Sequence, residues 1–382
     1  MFKPKFAILV MTILVLIVTA CTPAAPAPIT APAAPTSAPA AEVISPTTAP
    51  AEVTAPTVEA SPELAKSIVL INTGGDWGTC QRKSFADTFE EKYGVKVIDG
   101  PFLEDGQIRA AVETGVYDVD VVFPTPSLVL DDLGSKYLEP IDYSIVAKDE
   151  LIPGTFTKYG VALDLFSWAF GYRTDVSPAP TKWEDFFDTK NFPGKRGLVS
   201  WDTSTVLIGA LIADGVAPDQ LLPLDLNRAF AKLDTIKDDI VWFDTGSAGQ
   251  DLLVTGEVRF VQLYANRITS SRDNGAPVDI LWDGQIIQAD YLGIPKGSPN
   301  VATAQLLIAH MTSKEINGQF SFCQPGAPSN AKSEVNPAIA KDLPTSHLDV
   351  RHVISSNAEI AGYMEEHLNE ITDAFNNWKA GK

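Results

Sequence analysis

The chain is poor in cysteine, histidine and basic charge. Its 382 residues include three Cys and four His. Three cysteines cannot build a disulfide scaffold. The histidines, His310, His347, His352 and His367, fit no zinc-ligand spacing, so neither a metal nor another cofactor is expected. No Gly-x-Ser-x-Gly occurs, which leaves nucleophilic hydrolysis without a visible apparatus. Asp244-Thr245-Gly246 occurs once, and a proton-sharing pair of carboxylates would need two such segments. The residues point away from an enzyme. Lys and Arg number 29 against 48 Asp and Glu, a net charge of −19. That balance argues against nucleic acid, whose phosphates require a basic face, and it tolerates cationic ligands. Aromatics are not scarce: seven Trp, nine Tyr and eighteen Phe can fill a full-sized core, which excludes global disorder. The length suggests two domains of roughly 150 residues each.

Two segments precede any globular pattern. Lys3 and Lys5 lead into an apolar run, Phe6 to Met11, which resumes after Thr12 and ends at Val18. This is a charged region followed by an apolar region too short to span a bilayer comfortably. It closes on Val18-Thr19-Ala20-Cys21, which resembles the bacterial lipobox. The resemblance implies a signal peptide over 1–20 and lipid on the Cys21 sulfur; an ordinary signal peptide with a chance cysteine is the alternative. Residues 22–62 hold ten Pro and no aromatic, a composition that stays extended and solvated. Residues 21–62 thus read as a lipidated cysteine and a stalk. The chain is expected to be exported and tethered to the cell membrane, facing the periplasm or the exterior.

From Ser67 the pattern alternates strand and helix. Ile68–Ile71, Val95–Ile98 and Val119–Phe123 read as short strands, with helices at Phe85–Tyr93 and Gln107–Glu113 between them. A second series has strands at Gly197–Val199, Ile240–Phe243 and Val258–Tyr264. Its helices are Val206–Ile212, Asn227–Ile236 and Gly249–Leu253. Val161–Tyr172 reads as an extended crossover between the series, and Tyr291–Pro295 as a return strand. Helices at Val301–Met311 and Ile360–Trp378 finish the chain. Alternation at this spacing predicts mostly parallel sheets with helices on both faces. Ligands of such sheets gather at the carboxyl ends of the strands. The loops Thr73–Trp77, Pro124–Ser127, Trp201–Ser204, Tyr264–Arg267 and Gln288–Tyr291 are therefore the candidate site. Within them Gly74, Gly75, Trp77, Thr125, Trp201, Asp202, Tyr264, Arg267 and Asp290 are the residues expected to touch ligand. Gly74 and Gly75 could equally make only a turn, Trp201 could fill core, and Arg267 could be a surface charge.

Several motifs resemble one family. Asn72-Thr73-Gly74-Gly75-Asp76-Trp77 is followed by Phe89–Val97 and by Tyr117-Asp118-Val119-Asp120-Val121-Val122-Phe123-Pro124-Thr125. Thr181–Phe187, Phe192-Pro193-Gly194-Lys195-Arg196-Gly197, Gly256-Glu257-Val258, Trp282-Asp283-Gly284 and Ile294–Asn300 continue the series. Their order and spacing resemble the extracellular solute-binding proteins of family 1, in the spermidine/putrescine branch, over nearly all of 67–382. The resemblance implies a type II periplasmic-binding-protein-like fold, α/β, with two lobes joined by strand crossovers. One lobe would comprise 63–160 and 291–328, the other 161–290 and 329–382. It also implies a monomer that closes on a small amine-containing solute and delivers it to ABC transporter permease subunits.

Residue by residue, the resemblance places Trp77 at an aromatic after the first strand, Thr125 at a hydroxyl after the third, and Asp290 at an ammonium-binding carboxylate. A buried ammonium needs a carboxylate, and an aromatic face adds roughly 0.5–2 kcal/mol. Two departures matter. The loop Trp201–Thr205 lacks the branch's acidic residue a few positions further on, and Gln288 replaces an aromatic near Asp290. Arg267 stands where an arginine usually faces a carboxylate. One cation anchor and one anion anchor suit an ω-amino acid better than putrescine or spermidine. Ferric-ion binders of similar fold use adjacent tyrosines, which this sequence lacks. With Cys21 lipidated, Cys80 and Cys323 remain. The resemblance runs both through the first lobe, where they are expected to form a disulfide or, failing that, two separate buried thiols.

Overall fold

The computed structural model describes residues 64–381; the signal segment, Cys21 and the Pro-rich tract lie outside them. Strands β1 (Ser67–Ile71) and β2 (Lys96–Gly100) pair in parallel. Between them the chain is helical from Gly75 to Tyr93, with one wide turn at Arg82–Ala86. Phe85 and Phe89, four residues apart, are fully buried on one face of that stretch. The strand expected at Val119–Phe123 is reduced to two bridges, Val121 with Leu70 and Val122 with Gly293. The cause is Asp120. Its buried carboxylate takes the Val69 N–H at 2.8 Å, while the Val69 carbonyl accepts from both Asp120 and Val121.

The other strands are β3 (Val161–Arg173), β4 (Arg196–Val199), β5 (Ile240–Phe243), β6 (Phe260–Tyr264), β7 (Val278–Leu292), β8 (Ala327–Pro328) and β9 (His352–Ile354). They form a sheet of order β5-β4-β6-β3-β7-β9, with β8 also on β3. β4 runs parallel to β5 and β6, whereas β3 is antiparallel to both β6 and β7, so the larger sheet is mixed. The return strand begins at Val278, well before the expected Tyr291. Trp282-Asp283-Gly284 forms a bulge in it: Trp168 pairs with Ile286 but Phe170 with Leu281. Gly284 makes the bulge possible, with φ 79° and no room for a Cβ beside the Trp183 ring.

Two hydrophobic cores result, and the fold is a bilobed α/β architecture. The first gathers Ile68–Leu165 residues with Ile287, Leu292, Leu307, Phe320 and Leu343. The second gathers Trp168, Phe170, Trp183, Leu207, Phe260 and Ile286 with Val353, Ile371 and Phe375. Each buried aromatic or aliphatic side chain contributes roughly 1.5–3 kcal/mol. β3 and β7 thread both cores, changing side between Leu165 and Trp168 and between Ile286 and Ile287. The single C-terminal helix expected over Ile360–Trp378 is two helices, Ala358–Glu366 and Leu368–Lys379, broken at His367.

Candidate binding cleft

A cleft of about 850 Å³ opens where the strand ends of the two cores face each other, a size suited to a small organic ligand. All five strand-end segments reach it: Thr73 and Trp77; Pro124 to Ser127; Trp201 to Ser204; Tyr264; and Gln288 to Tyr291. Further walls come from Phe102, Phe123, Phe166 and Ser355–Ser356, and from one face of the C-terminal helices, including Met364, Glu365 and Leu368. Sequence reasoning passed over that last wall. Helix periodicity marks Ile371, Phe375 and Trp378 as inward-facing, but which part of the helix borders a cleft depends on where it docks.

Of the residues singled out from sequence, six line the cleft: Trp77, Thr125, Trp201, Asp202, Tyr264 and Asp290. Trp77 is held edge-on by Phe123 (5.5 Å between centroids) and Phe320 (5.2 Å). Gly74 and Gly75 do not line it. With φ of 72° and 59° they make the turn that starts Trp77's helix, and the Gly74 N–H donates to Asn72 Oδ1 at 2.7 Å. Thr125 donates its hydroxyl to Asp105 at 2.5 Å. Trp201 is 46% exposed and leans on Trp168 and Phe243.

Asp202 caps the helix Thr203–Ala213. Its Oδ1 accepts from the Thr205 N–H (3.0 Å) and the Ser204 hydroxyl (2.6 Å), its Oδ2 from the Thr205 hydroxyl (2.8 Å) and Gln288 Nε2 (3.1 Å). Four donors leave that carboxylate largely engaged by the protein itself. Gln288 in turn accepts from Trp168 Nε1 at 3.1 Å, so it braces the cap against the crossover strand. Tyr264 lies 4.0 Å over the Trp168 ring. Burial, together with the charges of Asp202 and Asp290, pushes its hydroxyl up to about 12.

Asp290 lies at the cleft floor on β7, directly opposite Asp164 of β3. Burial pushes its carboxyl up to about 6, against the hydrogen bond from Asp164, which lowers it. Arg267 stays outside the lining: its side chain packs over Gly246, and Nη1 donates to Gln250 Oε1 at 3.2 Å. It nonetheless acts on Tyr264, three residues back, whose hydroxyl its charge lowers. Among the described residues that line the cleft, the ionisable carboxyls are Asp202, Asp290 and Glu365, and there is no Lys, Arg or His. No described group of His, Cys, Asp and Glu has the arrangement of a metal site. Cys80, one turn beyond Trp77, is joined to Cys323 by a disulfide with Cα atoms 5.9 Å apart.

Residues 84–345 match the family described as bacterial extracellular solute-binding protein. The chain is 30% identical over 328 residues to the gamma-aminobutyric acid-binding protein of Pseudomonas aeruginosa, covering 83% of this chain and 92% of that one. Among solved structures, the Atu4243–GABA receptor is 33% identical with a TM-score of 0.72, over 82% of this chain and 97% of the other. AgtB of A. tumefaciens R10, in complex with agropinic acid, is 28% identical with a TM-score of 0.63, over 83% and 100%.

Proposed function

Because the chain belongs to the bacterial extracellular solute-binding proteins, a family of binders rather than enzymes, we propose that it captures an ω-amino acid of about the size of γ-aminobutyrate and delivers it to an ABC-type permease. The observation that carries this reading is Asp290: a carboxylate on the floor of an aromatic-walled cleft whose lining offers it no basic partner. A carboxylate in that setting gains most from an ammonium, and Trp77, Phe123 and Tyr264 supply faces for the attached methylenes. For the solute's carboxylate we assign Arg267, which lies outside the lining in this structure and would swing off Gly246 and Gln250, past Tyr264, as the cleft closes. It makes a single hydrogen bond to a neutral amide and forms no ion pair among the described residues, so its planar fork has capacity left for an anion. The names of the γ-aminobutyrate-binding relatives support the same solute class.

Putrescine or spermidine is the second reading, favoured by Asp202 and Glu365 as further carboxylates in the cleft. It is the weaker one, since Asp202 already accepts four donors. Capture would close the cleft by bending β3 and β7 where they pass between the cores; a smaller radius of gyration with ligand in small-angle scattering is the expected sign. Tethering through a lipid on Cys21 belongs to the same proposal, and Cys21→Ser should then move the protein out of the membrane fraction.

A thermal-shift screen of γ-aminobutyrate, longer ω-amino acids, putrescine and spermidine tests the assignment. A ligand at 100 times its Kd should stabilise the protein by roughly 2.7 kcal/mol. Arg267→Met should weaken the amino acid and spare the diamine. Stabilisation by diamines alone, or an Arg267→Met variant with full affinity for γ-aminobutyrate, would refute it.

A further inference from the structure

Behind the floor of the cleft lies a second carboxyl group that the binding reading leaves without a task. Asp164 and Asp290 are partners in the antiparallel β3–β7 ladder, so their side chains stand next to each other on one face of the sheet. Asp290 borders the cleft, while Asp164 is 5% exposed and lies behind it. Like charges directly opposite in a ladder repel. Among the described residues no basic side chain pairs with either carboxyl. On the β8 side Asp164 pairs with Pro328, and two residues earlier the bare backbone of Gly326 packs so close that a Cβ there would lie 3.1 Å from Asp164 Oδ2.

The charged and titratable groups around the pair are Asp202 and Tyr264, with Arg267 behind Tyr264. Tyr291, next to Asp290, gives its hydroxyl to the Ser356 carbonyl at 3.0 Å. None of them reaches Asp164, and its Oδ1 is buried without a partner among the described residues. An ionised, solvent-excluded carboxylate in that position would be strongly disfavoured, whereas a protonated one has an O–H to offer its neighbour.

We propose that Asp164 is a positioning residue held as a neutral carboxylic acid, donating its O–H to Asp290 so that the floor presents one oriented negative charge. The consequence is a restriction on solute class. A floor of charge −1 matches a single ammonium, whereas two ionised carboxylates would select a doubly charged group. Titration runs the same way: burial and the charge of Asp290 push Asp164 well above the usual carboxyl range, and the hydrogen bond from Asp164 lowers Asp290. The inference rests on the reading that Asp290 receives an ammonium.

Two measurements separate a failure of this inference from a failure of that reading. In ligand-free protein with ¹³C-labelled aspartate, the Asp164 carboxyl resonance, assigned by its loss in Asp164→Asn, should keep its acid-form shift at about pH 7.5. An ionised Asp164 at that pH overturns the proposal whatever the solute proves to be, and the acid form upholds it even if no amine binds. Calorimetric titration with γ-aminobutyrate then tests positioning. Asp164→Asn retains a donor and should keep Kd within roughly threefold, whereas Asp164→Leu should weaken binding by roughly 10–100-fold. The pH at which binding falls off on the acid side should rise in Asp164→Leu and stay in Asp164→Asn, a change that a merely structural role would not produce. A loss of about a hundredfold in Asp164→Asn would mean that the charge of Asp164 is itself used, and would overturn the proposal.

Discussion

Asp290→Asn should remove the ligand and at the same time stabilise the empty protein. The native carboxyl is raised from 3.8 to about 6, chiefly by burial. Between those values the folded state holds a proton that the unfolded chain releases, so the native state is favoured at low pH and loses that advantage as pH rises through the window. Each tenfold change in proton affinity is worth about 1.4 kcal/mol, so Asp290 costs the ligand-free protein up to ~3 kcal/mol once it is ionised. Asn has nearly the same shape, still accepts from Asp164, and does not titrate. The variant and the wild type should therefore be about equally stable near pH 3.5, and the variant more stable by up to ~3 kcal/mol near pH 8. Urea denaturation of both proteins across this range reads the difference directly. With γ-aminobutyrate added, the ranking should reverse, because only the wild type gains from the ligand. A stability difference that stays flat with pH, or a variant less stable than wild type near pH 8, would refute the account of Asp290 as an ionisable group held at a cost for its ligand.

Reduction of Cys80–Cys323, or replacement of both by Ser, should cost about 2–5 kcal/mol in denaturation. It should also weaken γ-aminobutyrate binding, since the bond anchors the helix that carries Trp77; unchanged affinity would detach the disulfide from the site. Arg351 bridges Glu184 (2.9 Å) and Asp283 (2.7 Å), so Arg351→Met should destabilise by ~2–4 kcal/mol at neutral pH. Arg351 helps hold the Glu184 carboxyl below its ordinary 4.5, so the wild type's advantage should fade as pH drops below about 4.5, and a deficit that persists there would count against the ion pair.

Much of this protein follows from short-range rules acting on the sequence alone. Ile68–Ile71, Ile240–Phe243 and Val301–Met311 carry their apolar periodicity within a few residues, so their strands and helix appear where that periodicity predicts. Strand-end loops rich in glycine, hydroxyl and aromatic residues could be located for the same reason, and all five border the cleft. Tertiary structure decided what depends on distant partners. The reach of β7 back to Val278 needed a bulge seated on Trp183, and the short Val121–Val122 bridge came from Asp120 competing for backbone donors. Arg267 was drawn onto Gly246 and Gln250, away from the lining, and the C-terminal helices brought Met364 and Leu368 to the cleft by docking on the second core. The pairing of Asp164 with Asp290 is the sharpest case. The two residues are far apart in sequence, and neither one's local pattern encodes the other. Only the register of two long crossover strands sets them side by side, because a slip of one residue would send one of the carboxyls to the opposite face of the sheet.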